Sequence, residues 1–328
     1  MGSCFWIRKS LILLQISNLH VDIPPHLVYT YPMAKKTLYL LLDTETTMKN
    51  GMVFDMAFSL FDRKGKRYEH GSFLFKDVLA IEEPFYKDKI AEYWNLAYKR
   101  KVKPMSVRAV RRYFNNMLEN YLANNKVIMC AYNAAFDTSH LGMTSENMVK
   151  KPFLSSKAKG LQFLDLWYAW VQGCPKNYGK HAPWTHEKPG TINPKNGRPL
   201  PWNIKTSAEA VYQFITKNPF FIEKHMAHSD IEIEQVILMD ILKRKQKLPI
   251  VSSPKEFQAM PWKLAQERCK EYIIERIGKE QLLIETQVPD LTEKNGHMTE
   301  IKFPTPDDMA TRERVAYAES FGMVGRNT

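Results

Sequence analysis

The chain is poor in cysteine, and the four it has are scattered. Cys4, Cys130, Cys174 and Cys269 form no CxxC pair, which argues against a disulfide framework and against a four-cysteine zinc site. A reducing, cytoplasmic compartment fits that usage. No apolar run approaches the roughly 20 residues needed to span a bilayer, so no membrane partner is expected. Internal repeats and low-complexity tracts are also missing. Acid is in deficit: 35 Asp and Glu stand against 47 Lys and Arg, a formal net charge of +12 over 328 residues. Such an excess points to an anionic partner, of which nucleic acid is the commonest; a generic basic surface is the alternative. Apolar side chains are present in ordinary measure, 44% of residues with 12% aromatic. That is enough for a sizeable core in one large domain, or in a medium domain with appendages.

The N-terminal stretch "MGSCFWIRKSLILLQISNLH" places Arg8 and Lys9 before a short apolar run. "LILLQI" is short for a signal h-region, and no small-x-small site follows it cleanly. Gly2 invites myristoylation, but Trp6 sits where Ser or Thr is wanted. Neither signal is expected to operate. Residues 1–32 read as an appendage and Met33 as a natural start for the folded domain. The alternative is that "LILLQI" packs onto that domain as an extra element.

Residues 37–42, "TLYLLL", are apolar on both faces, as suits a central strand buried on both sides. "MVFDMAFSLFD" (52–62) and "RYEHGSFLFKD" (67–77) flank the basic turn "RKGK" with Gly65, a hairpin signature. A helix is expected around 84–100. Another, over 106–125, carries Val107, Val110, Phe114, Met117 and Tyr121 at three- and four-residue spacing. "KVIMCAY" (126–132) predicts a buried strand, and "NAAFDTSHL" the opening of a helix. "LQFLDL" (161–166) predicts a short strand leading to another helix. "TSAEAVYQFI" (206–215) has Thr206 placed as N-cap and Glu209 three residues on, a capping-box pattern. "DIEIEQVILMDILKRKQK" (230–247) predicts a long helix whose basic end suits its dipole. Beyond Pro249, "SPKEFQAM" and "PWKLAQERCKEYIIERIG" predict two helices split by Pro261. The polar remainder to Thr328 reads as a loose tail. The order of elements is that of an α/β fold, a mixed sheet with helices on both faces.

Residues 173–203 differ in kind. They are full of Pro, Gly and Asn and read as a long inserted loop. Lys176, Lys180, Lys188, Lys195 and Arg198 face a single acid there, Glu187. Trp184 and Trp202 lie among those charges, as in surfaces that stack the bases of a single strand; equally, the two rings could pin the loop to the domain. Cys174, His181 and His186 lack a fourth ligand at zinc spacing.

"LLLDTETT" (40–47) ends the apolar strand on two acids, Asp43 and Glu45. Residues two apart on a strand point the same way, so both carboxylates project to one side. They stand at the carboxyl end of a central strand, where open α/β sheets bind ligands. Held together in a partly dry site they repel unless cations neutralise them, and Mg²⁺ or Mn²⁺ are suited to oxygen ligands. A capped turn at a polar strand end is the bland alternative. Two later segments change the balance. "AYNAAFDTSHL" puts Asn133 at a helix start and Asp137 one turn in. "HMAHSDIEIE" puts His225 five residues before Asp230, at the mouth of the long helix.

These three segments together resemble the DEDD-type 3′→5′ exonucleases of the histidine subgroup, the DnaQ-like family, which has an RNase H-like fold. Asp43 and Glu45 match its Asp-x-Glu motif, Phe136 and Asp137 its Phe-Asp motif, and His225, Ala227 and Asp230 its His-x-Ala-x-x-Asp motif. The resemblance covers roughly residues 35–247. It implies an appendage over 1–32, an exonuclease domain over 33–248 with 173–203 as a basic inserted loop, and a helical, then loose, extension over 249–328. Three features depart from the family pattern. "MKNGM" lengthens the turn after "TETT", so that Gly51 stands in for a Gly that usually follows directly. Tyr132 replaces the His that commonly precedes the Asn of the second motif. The loop over 173–203 is longer than the family's.

The resemblance further implies hydrolysis with two divalent metal ions, Mg²⁺ or Mn²⁺, about 4 Å apart. Asp43 would bridge both ions, Glu45 and Asp230 would complete the first site, and Asp137 would support the second. His225 would be the general base that takes the proton of the attacking water, in preference to His228, whose spacing does not match. Thr44 and Thr46 are implied to meet the terminal nucleotide, with Asn133 and Phe136 shaping the groove beside it. Asp165 is expected to support or cap. The function so implied is removal of nucleotides from the 3′ ends of single-stranded or frayed DNA. Alternatives are an RNase of the same fold that trims 3′ ends, and a silent module that binds nucleic acid or a polymerase; the latter is disfavoured because all four acids and the histidine are present. Any polymerase partner would be a separate chain.

Overall fold

The computed structural model describes residues 35–158, 160–185, 203–257 and 261–287, with backbone alone at 262 and 280–287. Two compact units separate between Lys35 and Lys36. The first, with "LILLQI", lies outside the described residues apart from Lys35. So do His186, Lys188, Lys195, Arg198 and Trp202 of the insert, and the tail from 288 on.

The second unit is built on one seven-stranded sheet in the order β4-β3-β2-β1-β5-β6-β7. Its strands are β1 (Lys36–Thr46), β2 (Val53–Asp62), β3 (Arg67–Phe75), β4 (Lys103–Met105), β5 (Asn125–Ala131), β6 (Gln162–Asp165) and β7 (Ile250–Val251). The pairs β1–β2 and β2–β3 are antiparallel, and β1–β5 and β5–β6 are parallel. This is a mixed α/β sheet, as expected, with β1 at its centre. Strand β1 runs four residues past the apolar stretch and carries both acids. β2 is buried along its whole length, as a strand covered on both faces must be.

Helices cover both faces. In chain order they are α1 (Lys76–Leu79), α2 (Ile90–Tyr98), α3 (Val107–Asn124), α4 (Ala134–Val149), α5 (Leu166–Gln172), α6 (Tyr178–His181), α7 (Ala208–Thr216), α8 (Ala227–Lys243), α9 (Pro261–Arg268) and α10 (Lys270–Gln287). One core cluster joins Leu38, Leu40 and Leu42 to Phe114 of α3 and Leu141 of α4. The other joins Tyr39 and Leu41 to Trp170 of α5 and Ile237 of α8. The alternation along β1 therefore assigns its even positions to one layer and its odd positions to the other. Asp43 and Glu45 continue the odd series, toward α8.

Several boundaries differ from the sequence expectation for local reasons. The helix expected around 84–100 is a 3-10 turn (Lys87–Lys89) followed by α2. Ser207, not Thr206, caps α7 by accepting from Ala210 N at 3.3 Å; Thr206 is buried, and its hydroxyl accepts from Trp167 Nε1 at 2.9 Å. "SPKEF" forms only a 3-10 turn (Pro254–Glu256). Pro261 begins α9, where a missing N–H costs nothing, and the break falls at Cys269, between α9 and α10.

The sheet also continues past residue 248, because β7 pairs with β6, and Ala265, Cys269 and Ile273 enter the α8 core. Cys174 and Cys269, 95 positions apart, meet as thiols with sulfurs 3.5 Å apart. Spacing along the chain concealed that pair. Trp184 is buried, with the Arg276 guanidinium 4.5 Å from its ring centroid. Of the two readings of the insert's tryptophans, Trp184 takes the pinning one.

Candidate active site

Three chain segments converge at the carboxyl end of β1. Ligand atoms of Glu45, His225 and Asp230 lie within 4.8 Å of one another. Asp230 sits in the first turn of α8 and accepts from Met226 N at 2.7 Å. Asp137 sits in the first turn of α4, which follows the parallel strand β5. Its Oδ1 accepts from Thr44 Oγ1 at 2.8 Å. Asp43 lies between these groups, and the negative charges of Glu234, Asp137, Asp230 and Glu45 all act on it.

The geometry of α4 depends on two further residues. Asn133 adopts a left-handed backbone, φ +72, which Asn tolerates better than most side chains. That bend turns the chain from β5 into the helix. Asp165 then accepts from Ala134 N at 3.0 Å and from Tyr168 N at 2.9 Å, so one carboxylate caps both α4 and α5.

The site is acidic and partly buried. Burial is the first cause of every rise in carboxyl pKa here, and neighbouring acids add to it at every one of these groups but Asp230, where hydrogen bonds and lysine charges oppose it. Glu45 is pushed up to about 8, Asp55 and Asp137 to about 7, Glu223 to about 7 and Asp230 to about 6. Asp43 and Glu234 are held well above the usual carboxylate range for the same reasons. Asp43 Oδ2 and Glu234 Oε2 are buried with no hydrogen-bond partner among the described residues. Buried carboxylate oxygens are normally paired or hold a cation. Burial and the nearby Lys89 charge lower the pKa of His225, which keeps the imidazole neutral at pH 7. His228 stands apart from the acids, in the field of Glu232, Lys101, His70 and Lys224.

The residues expected at the substrate divide. Thr44 is 5% exposed. Its hydroxyl donates to Asp137, because strand alternation turns position 44 toward α4. Thr46 offers its carbonyl to Phe85 N at 3.2 Å. Asn133 and Phe136 are exposed on the lip of α4, with the Phe136 ring 4.2 Å from that of His140.

Four residues here had no place in the sequence motifs. Asp55 faces Glu45 across the β1–β2 ladder and accepts from Ala227 N at 2.9 Å, tying β2 to the start of α8. A charged residue in the interior of a strand buried along its whole length was the available signal. Glu234 lies four residues past Asp230, on the same helix face, and accepts from Tyr132 N at 2.8 Å. Tyr86 stacks on His225, and Lys89 donates to the Lys224 carbonyl. No spacing rule marks these last two.

The lengthened turn "MKNGM" is closed by Thr47 N donating to Met52 O at 2.8 Å and Met52 N to Thr47 Oγ1 at 2.9 Å. Gly51 takes φ +64, and His140 Nδ1 lies 2.6 Å from its carbonyl oxygen.

Among the described residues, no helix is long and apolar enough to cross a membrane. No family model matches the chain, and no curated protein matches it. One solved structure that it resembles is Exonuclease X in complex with 5′ overhanging duplex DNA, at 16% identity over 63% of this chain and 92% of that chain, with a TM-score of 0.32. At that score the likeness carries no argument about function.

Proposed function

We propose that the chain is a metal-dependent 3′→5′ exonuclease, a phosphodiester hydrolase that removes nucleotides from the 3′ ends of single-stranded or frayed DNA. The observation that carries this reading is the cluster of Glu45, His225 and Asp230 with Asp43 and Asp137 beside it, partly or wholly buried acids that no cation among the described residues neutralises in full. The donor set fits hard divalent cations. It consists of carboxylates and one imidazole, it contains no thiolate, and Asp43 Oδ2 is an orphaned buried acceptor.

Asp43, Glu45, Asp137 and Asp230 would hold two Mg²⁺ or Mn²⁺ ions. Bound there, the ions would activate water and neutralise charge on the phosphate and the leaving 3′ oxygen. The remaining tasks fall to the chain. His225, neutral at pH 7, accepts a proton from the attacking water at an imidazole nitrogen. Thr44 fixes the orientation of Asp137. Asp55 anchors the backbone at Ala227, two residues from His225 and three from Asp230. Lys89 places positive charge near Glu45 and Asp230, where a phosphate would approach. Phe136, 40% exposed on the lip of α4, offers a ring on which a terminal base can stack.

The test is shortening of end-labelled DNA by purified protein with Mg²⁺ or Mn²⁺, and its arrest by EDTA. Asp43→Asn and His225→Ala should each lower the rate by orders of magnitude with circular dichroism unchanged. Cleavage that persists at wild-type rate in both variants would sink the assignment.

A further inference from the structure

Tyr86 belongs to none of the motifs above, yet its ring lies flat against His225. The centroids are 5.0 Å apart and the planes within 10° of parallel. His225 needs support from outside its own segment. Its backbone is left-handed, φ +51, a state that a non-glycine residue keeps only where its surroundings over-determine it. It also stands two residues ahead of α8, outside the helix's hydrogen-bonded frame.

The support comes from one short segment, residues 84–92. Lys89 Nζ donates to the Lys224 carbonyl and lies 4.2 Å from the Tyr86 ring centroid. Lys224 Nζ reaches Glu92 at 3.6 Å, a largely exposed pair of small worth. At its other end the segment is tied to the strand that carries Glu45. Phe85 N donates to the Thr46 carbonyl at 3.2 Å, and Thr47 bridges Pro84. Just upstream, Thr47 Oγ1 donates to Glu82 at 2.5 Å. A single strap thus runs from the end of β1 to the loop before α8.

We propose that Tyr86 is a positioning residue for His225, and that the strap 84–92 sets the imidazole against the acids at the end of β1. Stacking fixes the plane of the ring, and a nitrogen on its edge lies within 4.8 Å of ligand atoms of Glu45 and Asp230. A proton acceptor needs both conditions. The kinetic consequence rests on the hydrolase reading given above; the structural consequence does not.

Two measurements separate them. The first uses metal-free protein and no substrate. The ring protons of His225, assigned in the proton NMR spectrum by their loss in His225→Ala, should be shifted upfield by the Tyr86 ring current. The shift should vanish in Tyr86→Leu, which keeps bulk without a ring, and persist in Tyr86→Phe. The second is steady-state hydrolysis of a 3′-ended single strand with Mn²⁺. Tyr86→Leu should lower kcat on the order of tenfold with KM little changed, and Tyr86→Phe should restore kcat. The proposal is overturned if the upfield shift is absent from wild type or survives in Tyr86→Leu. It is also overturned if kcat is unchanged in Tyr86→Leu, or if Tyr86→Phe is as impaired as Tyr86→Leu. A wild type inert on every 3′-ended strand would fell the hydrolase reading, while the NMR comparison would still decide whether Tyr86 holds His225.

Discussion

Thr44 Oγ1 donates to Asp137 Oδ1 at 2.8 Å and thereby joins residues 93 positions apart in the chain. One acid of the site is therefore oriented by the strand that bears two others. Thr44→Val keeps the shape and removes the donor. It should remove one of the hydrogen bonds to a buried carboxyl group, at a cost of about 1–2 kcal/mol. It should also lower activity or metal affinity by roughly 10- to 100-fold, as losses of supporting hydrogen bonds do at metal sites. Denaturant melts and Mn²⁺ titration of Thr44→Val and Thr44→Ser check both, with Ser expected to stay near wild type.

The raised carboxyl pKa values have a consequence for stability. Glu45 near 8 and Asp55 and Asp137 near 7 bind protons more readily in the folded chain than in the unfolded one, where carboxyls titrate near 4. Their contribution is whole below pH about 4 and is lost as pH rises through the folded values. The lowered pKa of His225 acts the other way, but only at and below its ordinary value near 6.5. Between pH 7 and 8.5 the carboxyls decide the slope. The Tm of metal-free protein should fall over that interval, and millimolar Mg²⁺ or Mn²⁺ should raise it again at pH 8.5 by mass action. Calorimetry with and without EDTA shows this; a flat Tm that ignores both pH and cation would contradict it.

Glu234 is buried beside Asp43 with one oxygen unpaired. Glu234→Gln removes a buried ionisable group and keeps an acceptor for Tyr132 N. The variant should melt higher than wild type at pH 8 without metal, and gain less from added Mn²⁺. Sites that gather like charges commonly trade stability for function in this way.

Gly51 answers a steric demand. At φ +64, a Cβ there would lie 2.9 Å from His140 Cε1. Gly51→Ala should cost on the order of 1–2 kcal/mol, seen as a lower urea midpoint with an unchanged m-value.

Much of the fold was legible because burial leaves a pattern. The apolar runs of β1, β2 and β5, and the spacing of Val107, Val110 and Phe114 on α3, follow from which faces meet the core. The motif acids Asp43, Glu45, Asp137 and Asp230, with His225, were legible because they lie in short segments whose local spacing stands out in the sequence. What was hidden depends on contacts between distant segments. Tyr86 lies in "EPFYKDK", which has no periodicity, and its partner is 139 positions on. Thr206 looked like a cap, but tertiary contact with Trp167 drew it inward and left Ser207 to cap α7. Asp55 was in plain view in a buried strand, and its meaning appears only when Ala227 N is seen to donate to it.

The central claim is hydrolysis from a 3′ end by the acid cluster and His225. Its most direct test is a paired assay with Mn²⁺ on single- and double-stranded DNA and RNA, each labelled internally and blocked at either the 3′ or the 5′ end. Stepwise release of mononucleotides is expected from single-stranded or frayed DNA whose 3′ end is free. None is expected when that end is blocked, full activity when only the 5′ end is blocked, and loss of release in Asp43→Asn and His225→Ala. Binding of Mn²⁺ without release of mononucleotides from any free 3′ end would contradict it.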